Sequence, residues 1–149
     1  MARPASQSGF TLLEVIVALV IGAIAYALIA GVPFRGTSAA ELKAAARTLA
    51  SGLRQAQMTA MATRRDALLT LDLDAREFHV AGTQPATRLP DDIELKLYTA
   101  QADVATPQRG SIRFYPDGSS TGGRITVAAG ERRYLVDVDW LTGRVTIAD

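Results

Sequence analysis

Two pairs of aspartates stand two residues apart in this 149-residue chain, Asp72 with Asp74 and Asp137 with Asp139. Side chains at that spacing share one face of a strand, so each pair resembles an acid/base couple or two oxygen ligands of a hard cation. The same alternation places charge on the wet face of any half-exposed strand, and that plainer reading is adopted for both pairs. His79, the single histidine, alternates with Phe78 and Val80 and is expected to face solvent. With no cysteine and one histidine, thiolate chemistry, disulfides and multi-histidine metal sites are excluded. No Ser-His-Asp set assembles around His79. The run Gly118-Ser-Ser-Thr-Gly-Gly123 has the glycines of a phosphate cradle. It lacks the Lys-Ser/Thr pair and the following helix, and reads as a flexible surface loop. The sequence predicts no enzyme, no cofactor and no metal site.

Glu14 is the chemically odd residue. From Phe10 to Phe34 the chain reads FTLLEVIVALVIGAIAYALIAGVPF, with Glu14 its only charge. As a helix this run is about 35 Å long, enough to cross a hydrocarbon core of about 30 Å. A carboxylate there costs about 2–3 kcal/mol and normally has a partner. The run offers none, so a partner from outside is implied. A secretory signal peptide needs an apolar stretch of about 7–15 residues before a small-x-small site. Ala25-Tyr26-Ala27 supplies such a site, but the apolar stretch continues past it and Glu14 lies inside it. A plain signal anchor explains the span and leaves Glu14 unexplained.

The junction Ser8-Gly9-Phe10-Thr11-Leu12-Leu13-Glu14 resembles the processing site of type IV prepilins and of the pseudopilins of type II secretion. The resemblance implies that a dedicated prepilin peptidase cuts between Gly9 and Phe10 and methylates the new amino group of Phe10. The leader is lost and the apolar helix kept. It also implies a partner for Glu14, the N-terminal amine of a neighbouring subunit.

The elements that carry these residues follow from periodicity. Without Arg3 in the leader and Glu14 in the span, 15 basic and 14 acidic residues remain, an ordinary charge-balanced composition. From Thr37 to about Arg65 the pattern is helical: Leu42, Leu49, Leu53, Ala56 and Ala60 form an apolar stripe, with Glu41, Lys43, Arg47, Arg54 and Arg64 for the wet face. Ser38 with Glu41 three residues later is a capping box. Pro33 and Gly36 mark a break between the two helical segments, and Ala23, Ala27 and Gly31 form a row of small residues. After Asp66 the period becomes two. Strands are expected at 69–74, 78–80, 93–98, 112–115, 124–127, 134–140 and 145–147, with loops at 81–90 and 100–110. The fold class is α+β: a long N-terminal helix, membrane-spanning in its first half, then an antiparallel sandwich-like domain of two sheets. The predicted boundaries are a leader at 1–9, an assembly helix at 10–34, an amphipathic helix at 35–65 packing on the domain, and a β-domain at 66–149.

The segment Gly110-Ser-Ile-Arg-Phe-Tyr-Pro-Asp-Gly-Ser-Ser-Thr-Gly-Gly123 is similar to the F-x-P-x-G-x-x-x-G-G region of the GspH/FimT group of minor pilin-like proteins. The ending Val138-Asp-Trp-Leu-Thr-Gly-Arg-Val145 is similar to the C-terminal hairpin of type II secretion H proteins. These resemblances imply a minor pseudopilin at or near the tip of a periplasmic pseudopilus that promotes protein export. They imply single-pass anchoring in a bacterial inner membrane with the β-domain in the periplasm. The implied partners are other minor and major pseudopilins, the prepilin peptidase and the inner-membrane secretion platform. Asp117, Gly118, Ser119, Ser120, Thr121, Gly122 and Gly123 form the candidate subunit-contact loop. The alternative is a FimT-like minor pilin that binds DNA during uptake, for which Arg64-Arg65 and Arg132-Arg133 are small basic patches. Arg144 is the only cation among the last dozen residues, beside Asp139 and Asp149, which argues against nucleic acid.

Overall fold

The computed structural model describes residues 11–30, 37–83, 85–99 and 108–149. The junction at Gly9 and Phe10, the break at Pro33 and Gly36 and most of the 100–110 loop lie outside the described residues. The chain divides into two compact units, Met1–Arg35 and Gly36–Asp149.

In the first unit, helix α1 covers Leu12–Ala30. Thr11 starts it: its side-chain hydroxyl and its carbonyl both accept from the Glu14 N–H, at 3.3 and 3.0 Å. From Leu12 to Tyr26 every residue is exposed. A helix that is apolar all round has no preferred face to bury in its own domain. The sequence predicts a membrane span over 10–34. Among the described residues no helix is long and apolar enough to cross a membrane. Residue 10 and residues 31–34, the two ends of the expected span, lie outside them.

In the second unit, α2 (Ala39–Thr63) opens with the expected capping box. Ser38 Oγ accepts from the Glu41 N–H at 3.2 Å, and a Glu41 carboxylate oxygen accepts from the Ser38 N–H at 2.8 Å. That backbone hydrogen bond from Ser38 holds the Glu41 carboxyl below the usual carboxylate range. Leu42, Leu49, Leu53, Ala56 and Ala60 are buried on one face, as the periodicity predicts. The helix stops at Arg64, whose backbone is left-handed at φ 53°.

Eight strands follow: β1 (Ala67–Asp72), β2 (Glu77–Val80), β3 (Thr87–Arg88), β4 (Glu94–Tyr98), β5 (Arg109–Phe114), β6 (Gly123–Ala129), β7 (Arg132–Val138) and β8 (Val145–Ala148). They form two four-stranded antiparallel sheets, ordered β3-β2-β1-β5 and β4-β6-β7-β8. The predicted hairpin of β1 and β2 is present, with Leu71 opposite Phe78. Helix α2 touches β1, β2 and β5 of the first sheet and β6, β7 and β8 of the second. Leu69, Leu71, Phe78, Ile112, Phe114, Ile125, Val127 and Val136 close the core around it. At Gly52 the helix approaches so closely that a Cβ would enter the Phe78 ring. The architecture is α+β, as predicted. The short strand β3 lies inside the expected 81–90 loop: Thr87 and Arg88 pair with Phe78 and Glu77 of β2.

Candidate functional site

The aspartate pairs do not form two-carboxylate faces. Asp72 closes β1 and accepts from the Ala75 N–H at 2.9 Å, the Asp74 N–H at 3.1 Å and Arg109 Nε at 2.6 Å. Its carboxyl is held below the usual range, first by the Ala75 hydrogen bond and then by Arg109. Asp74 lies past the strand, exposed in the turn. Asp137 pairs with Arg124 across the β6–β7 ladder. Asp139 stands beyond the end of β7, where it accepts from the Leu141 N–H at 3.1 Å and from the Thr142 N–H and hydroxyl, both at 2.8 Å. One member of each pair therefore organises a hairpin turn. This corrects the shared strand face, because the strands end before Asp74 and Asp139. His79 is exposed on β2, as predicted. Among the described residues no three His, Asp or Glu side chains gather closely enough to hold a metal ion.

The Asp117–Gly123 segment is not a flexible loop. The Asp117 carboxylate accepts from the Ser119 hydroxyl at 2.6 Å and the Ser119 N–H at 3.0 Å. Those bonds, the hydroxyl first, hold its carboxyl below the usual range. Ser120 is buried, 5% exposed, and its hydrogen bonds are met. Its N–H donates to the Trp140 carbonyl at 2.9 Å, and its hydroxyl donates to the Asp139 carbonyl and accepts from the Gly122 N–H. Thr121 exchanges bonds with Arg113 of β5: its N–H donates to the Arg113 carbonyl, and its hydroxyl accepts from the Arg113 N–H. Asp117 stays exposed, Ser119, Thr121 and Gly123 are half-buried, and Gly118 and Gly122 are buried beside Ser120.

Helix α2 holds this segment to the β7–β8 turn through one side chain. Gln57 Nε2 donates to the Gly118 carbonyl at 2.8 Å and to the Thr142 carbonyl at 3.1 Å. Gly143 completes the turn with φ 62°, and a Cβ there would strike both the Gly118 carbonyl and Gln57. The loop, the turn and the helix form one hydrogen-bonded assembly. Gln57 escapes sequence reasoning, since one amide beside an apolar stripe carries no signal of what it bonds. The alternation predicts Trp140 inside a strand, but it stands in the turn past the end of β7; the Leu-Thr-Gly turn signal after it is the clue.

Along this assembly runs an apolar groove of about 620 Å³, walled by Tyr98, Tyr115, Val138 and Trp140, with Gly122 and Gly123 in its lining. A second, charged groove of about 550 Å³ adjoins it and shares Arg124, Asp137 and Val138; Asp139, Thr142, Arg144 and Thr146 complete it. The groove has no constellation for bond-making chemistry. It has the composition of a binding surface, in which tyrosine, tryptophan and arginine are enriched.

At the other end of the chain Glu14 is exposed in the first turn of α1, where the helix dipole favours a negative charge. Among the described residues it makes no ion pair.

The family model for type II transport protein GspH matches residues 45–143, and the model of the prokaryotic N-terminal methylation motif matches residues 4–30. A curated relative, type II secretion system protein H of Xanthomonas campestris pv. campestris, is 31% identical over 137 residues, covering 92% of this chain and 80% of the relative. Among solved structures, the type IV minor pilin FimU of Pseudomonas aeruginosa superposes with TM-score 0.59 at 15% identity, over 78% of this chain and 93% of that one. The minor pseudopilin EpsH from the type 2 secretion system of Vibrio cholerae gives 0.57 at 14% identity, over 72% and 96%. At such identities these two likenesses show the fold alone.

Proposed function

The chain belongs to the GspH family of type II transport proteins, the minor pseudopilins of type II secretion, and we infer that it is a structural subunit at or near the tip of the pseudopilus. The observation that carries this reading is the union in one chain of two separate signals. One is the Gly9-Phe10-Thr-Leu-Leu-Glu14 junction running into an apolar helix; the other is a GspH domain over 45–143. In this reading prepilin peptidase removes residues 1–9 and methylates Phe10. The apolar run at 10–34 then holds the subunit in the inner membrane until assembly, with the β-domain in the periplasm. Glu14 meets the N-terminal amine of a neighbouring subunit, which neutralises a carboxylate otherwise costly in an apolar surrounding. The 117–123 segment contributes to contacts with other pseudopilins.

The Gly9→Leu variant tests the first step. It is expected to accumulate at the mass of the uncut chain, with no methylated Phe10 terminus on intact-mass and N-terminal analysis. Normal maturation of that variant removes the reading. Exposed Arg64, Arg65, Arg132 and Arg133 leave DNA binding as the competing role, and salt-dependent retention of duplex DNA by the chain is its measurement.

A further inference from the structure

A sheet that does not close on itself ends in strands whose outward N–H and C=O groups need a partner or a cover. The end strands here are β3 and β5 in the first sheet and β4 and β8 in the second. Three of them are managed within the chain. β3 is two residues long, and its Arg88 side chain is paired with Asp91. β5 is covered at its end, where the Thr121 N–H donates to the Arg113 carbonyl and Ser120 bridges to Phe114. At its start Gly110 lies so close to Leu97 of β4 that a Cβ would meet that side chain, so β4 and β5 lie against each other there. β4 also carries Glu94 and Lys96, exposed and paired at 2.8 Å, and charges of that kind discourage a further strand.

β8 is different. It reads Val145-Thr-Ile-Ala148, without charge or proline, and its first three residues are β-branched. The register fixes which way its backbone points. The Asp139 N–H donates to the Arg144 carbonyl at 3.0 Å, so Arg144 faces the β7 side. Antiparallel bonding alternates along a strand, so Thr146 opposite Asp137 and Ala148 opposite Leu135 face β7 as well. Val145 and Ile147 therefore turn their N–H and C=O groups away from the sheet. Arg54 of α2 meets one of these groups: its Nη2 donates to the Val145 carbonyl at 3.2 Å. That carbonyl keeps a second lone pair. Among the described residues no other hydrogen bond reaches the Val145 N–H or the backbone groups of Ile147. Ile147 is half-buried and Thr146, Ala148 and Asp149 are exposed, which leaves this edge within reach from solvent.

We propose that β8 is a strand-addition site: an extended segment of another pseudopilin pairs along residues 145–147 and continues the β4-β6-β7-β8 sheet into the neighbouring subunit. The proposal rests on the pseudopilin reading. The backbone itself selects the occupant. Alternate residues of the incoming segment must present N–H and C=O groups at the spacing of a strand, and proline is excluded where a donor to Val145 or Ile147 is needed. Main-chain hydrogen bonds supply the affinity, and the side chains along the incoming strand supply the choice of partner.

The test uses the full chain held in lipid nanodiscs, with the purified globular domains of the other pseudopilins of the same cell as probes. Backbone hydrogen exchange over residues 144–149 is read by mass spectrometry, and affinities by interferometry. In the chain alone the Val145 and Ile147 amides are expected to exchange fast, and one probe is expected to slow them roughly tenfold or more. Ile147→Pro removes an outward N–H and no β7–β8 bond, so it is expected to keep the fold by circular dichroism and to bind that probe roughly tenfold more weakly. Ile147→Lys keeps the N–H but puts a charge on the edge; it is expected to weaken binding too, and serves as the second variant should the proline fold poorly. Slow exchange in the chain alone means that the edge is already covered, and overturns the proposal. Protection that grows as the chain itself is concentrated identifies a second copy as the occupant and overturns it as well. Equal binding by both variants, or no probe that slows exchange, overturns the strand-addition site and leaves the pseudopilin role standing. Failure of the underlying reading is registered separately, by secretion that persists unchanged when the chain is deleted.

Discussion

Asp139 shows how a residue's role follows from the donors around it. The Thr142 N–H, the Thr142 hydroxyl and the Leu141 N–H all favour its charged form, as does the nearby charge of Arg144, and its carboxyl sits below the usual range. A carboxylate whose folded value lies below its unfolded value of about 3.9 contributes stability above that pH and loses it as pH falls toward the folded value. Asp72 and Asp117 act in the same direction. Thermal midpoints are therefore expected to be flat from about pH 5 upward and to fall below about pH 4. Asp139→Asn should lower the midpoint at neutral pH and flatten part of the acid limb; a limb unchanged by that variant would show that the turn contributes nothing to it. The sequence shows which aspartates alternate with apolar residues. It does not show that Asp74 and Asp139 fall just past the strand ends, because that depends on where the partner strands stop.

At the scale of elements, local signals were legible where their partners are close in sequence. The Ser38–Glu41 box works over three residues, and the structure forms both of its hydrogen bonds. Ser38→Ala is expected to destabilise the Gly36–Asp149 unit by about 1 kcal/mol, read from denaturant unfolding, with the slope of the transition unchanged. The α2 stripe and the alternating strands were legible for the same reason, since burial on one face writes its period into the chain. Strand β3 was not. Two residues carry no period, and Thr87 and Arg88 become a strand only because β2 presents Phe78 and Glu77 to them. Gly52 likewise breaks no helix and signals nothing by itself. Its need for a bare Cα is set by the Phe78 ring from the facing sheet.

At the scale of the whole molecule, the first unit holds a helix that is apolar on every side and exposed, whereas the second has a closed core of its own. Glu14 belongs to the first, and its proposed partner is intermolecular. Glu14→Val is expected to be processed at Gly9 as the parent chain is, yet to assemble poorly, seen as loss of secretion with normal maturation; full secretion by that variant would remove the charge-pair role. What the sequence by itself determined is what acts over short range: the N-terminal methylation motif, the apolar run with its one carboxylate, the capped helix and the alternating strands. What only the tertiary structure decided is how the 117–123 segment and the β7–β8 turn are held together. Gln57 reaches Gly118 across 61 residues and Thr142 across 85, and those bonds turn an apparently flexible glycine loop into a fixed support for Trp140. Contacts at such separation depend on how α2 lies across both sheets, and no local pattern of residue types encodes that placement.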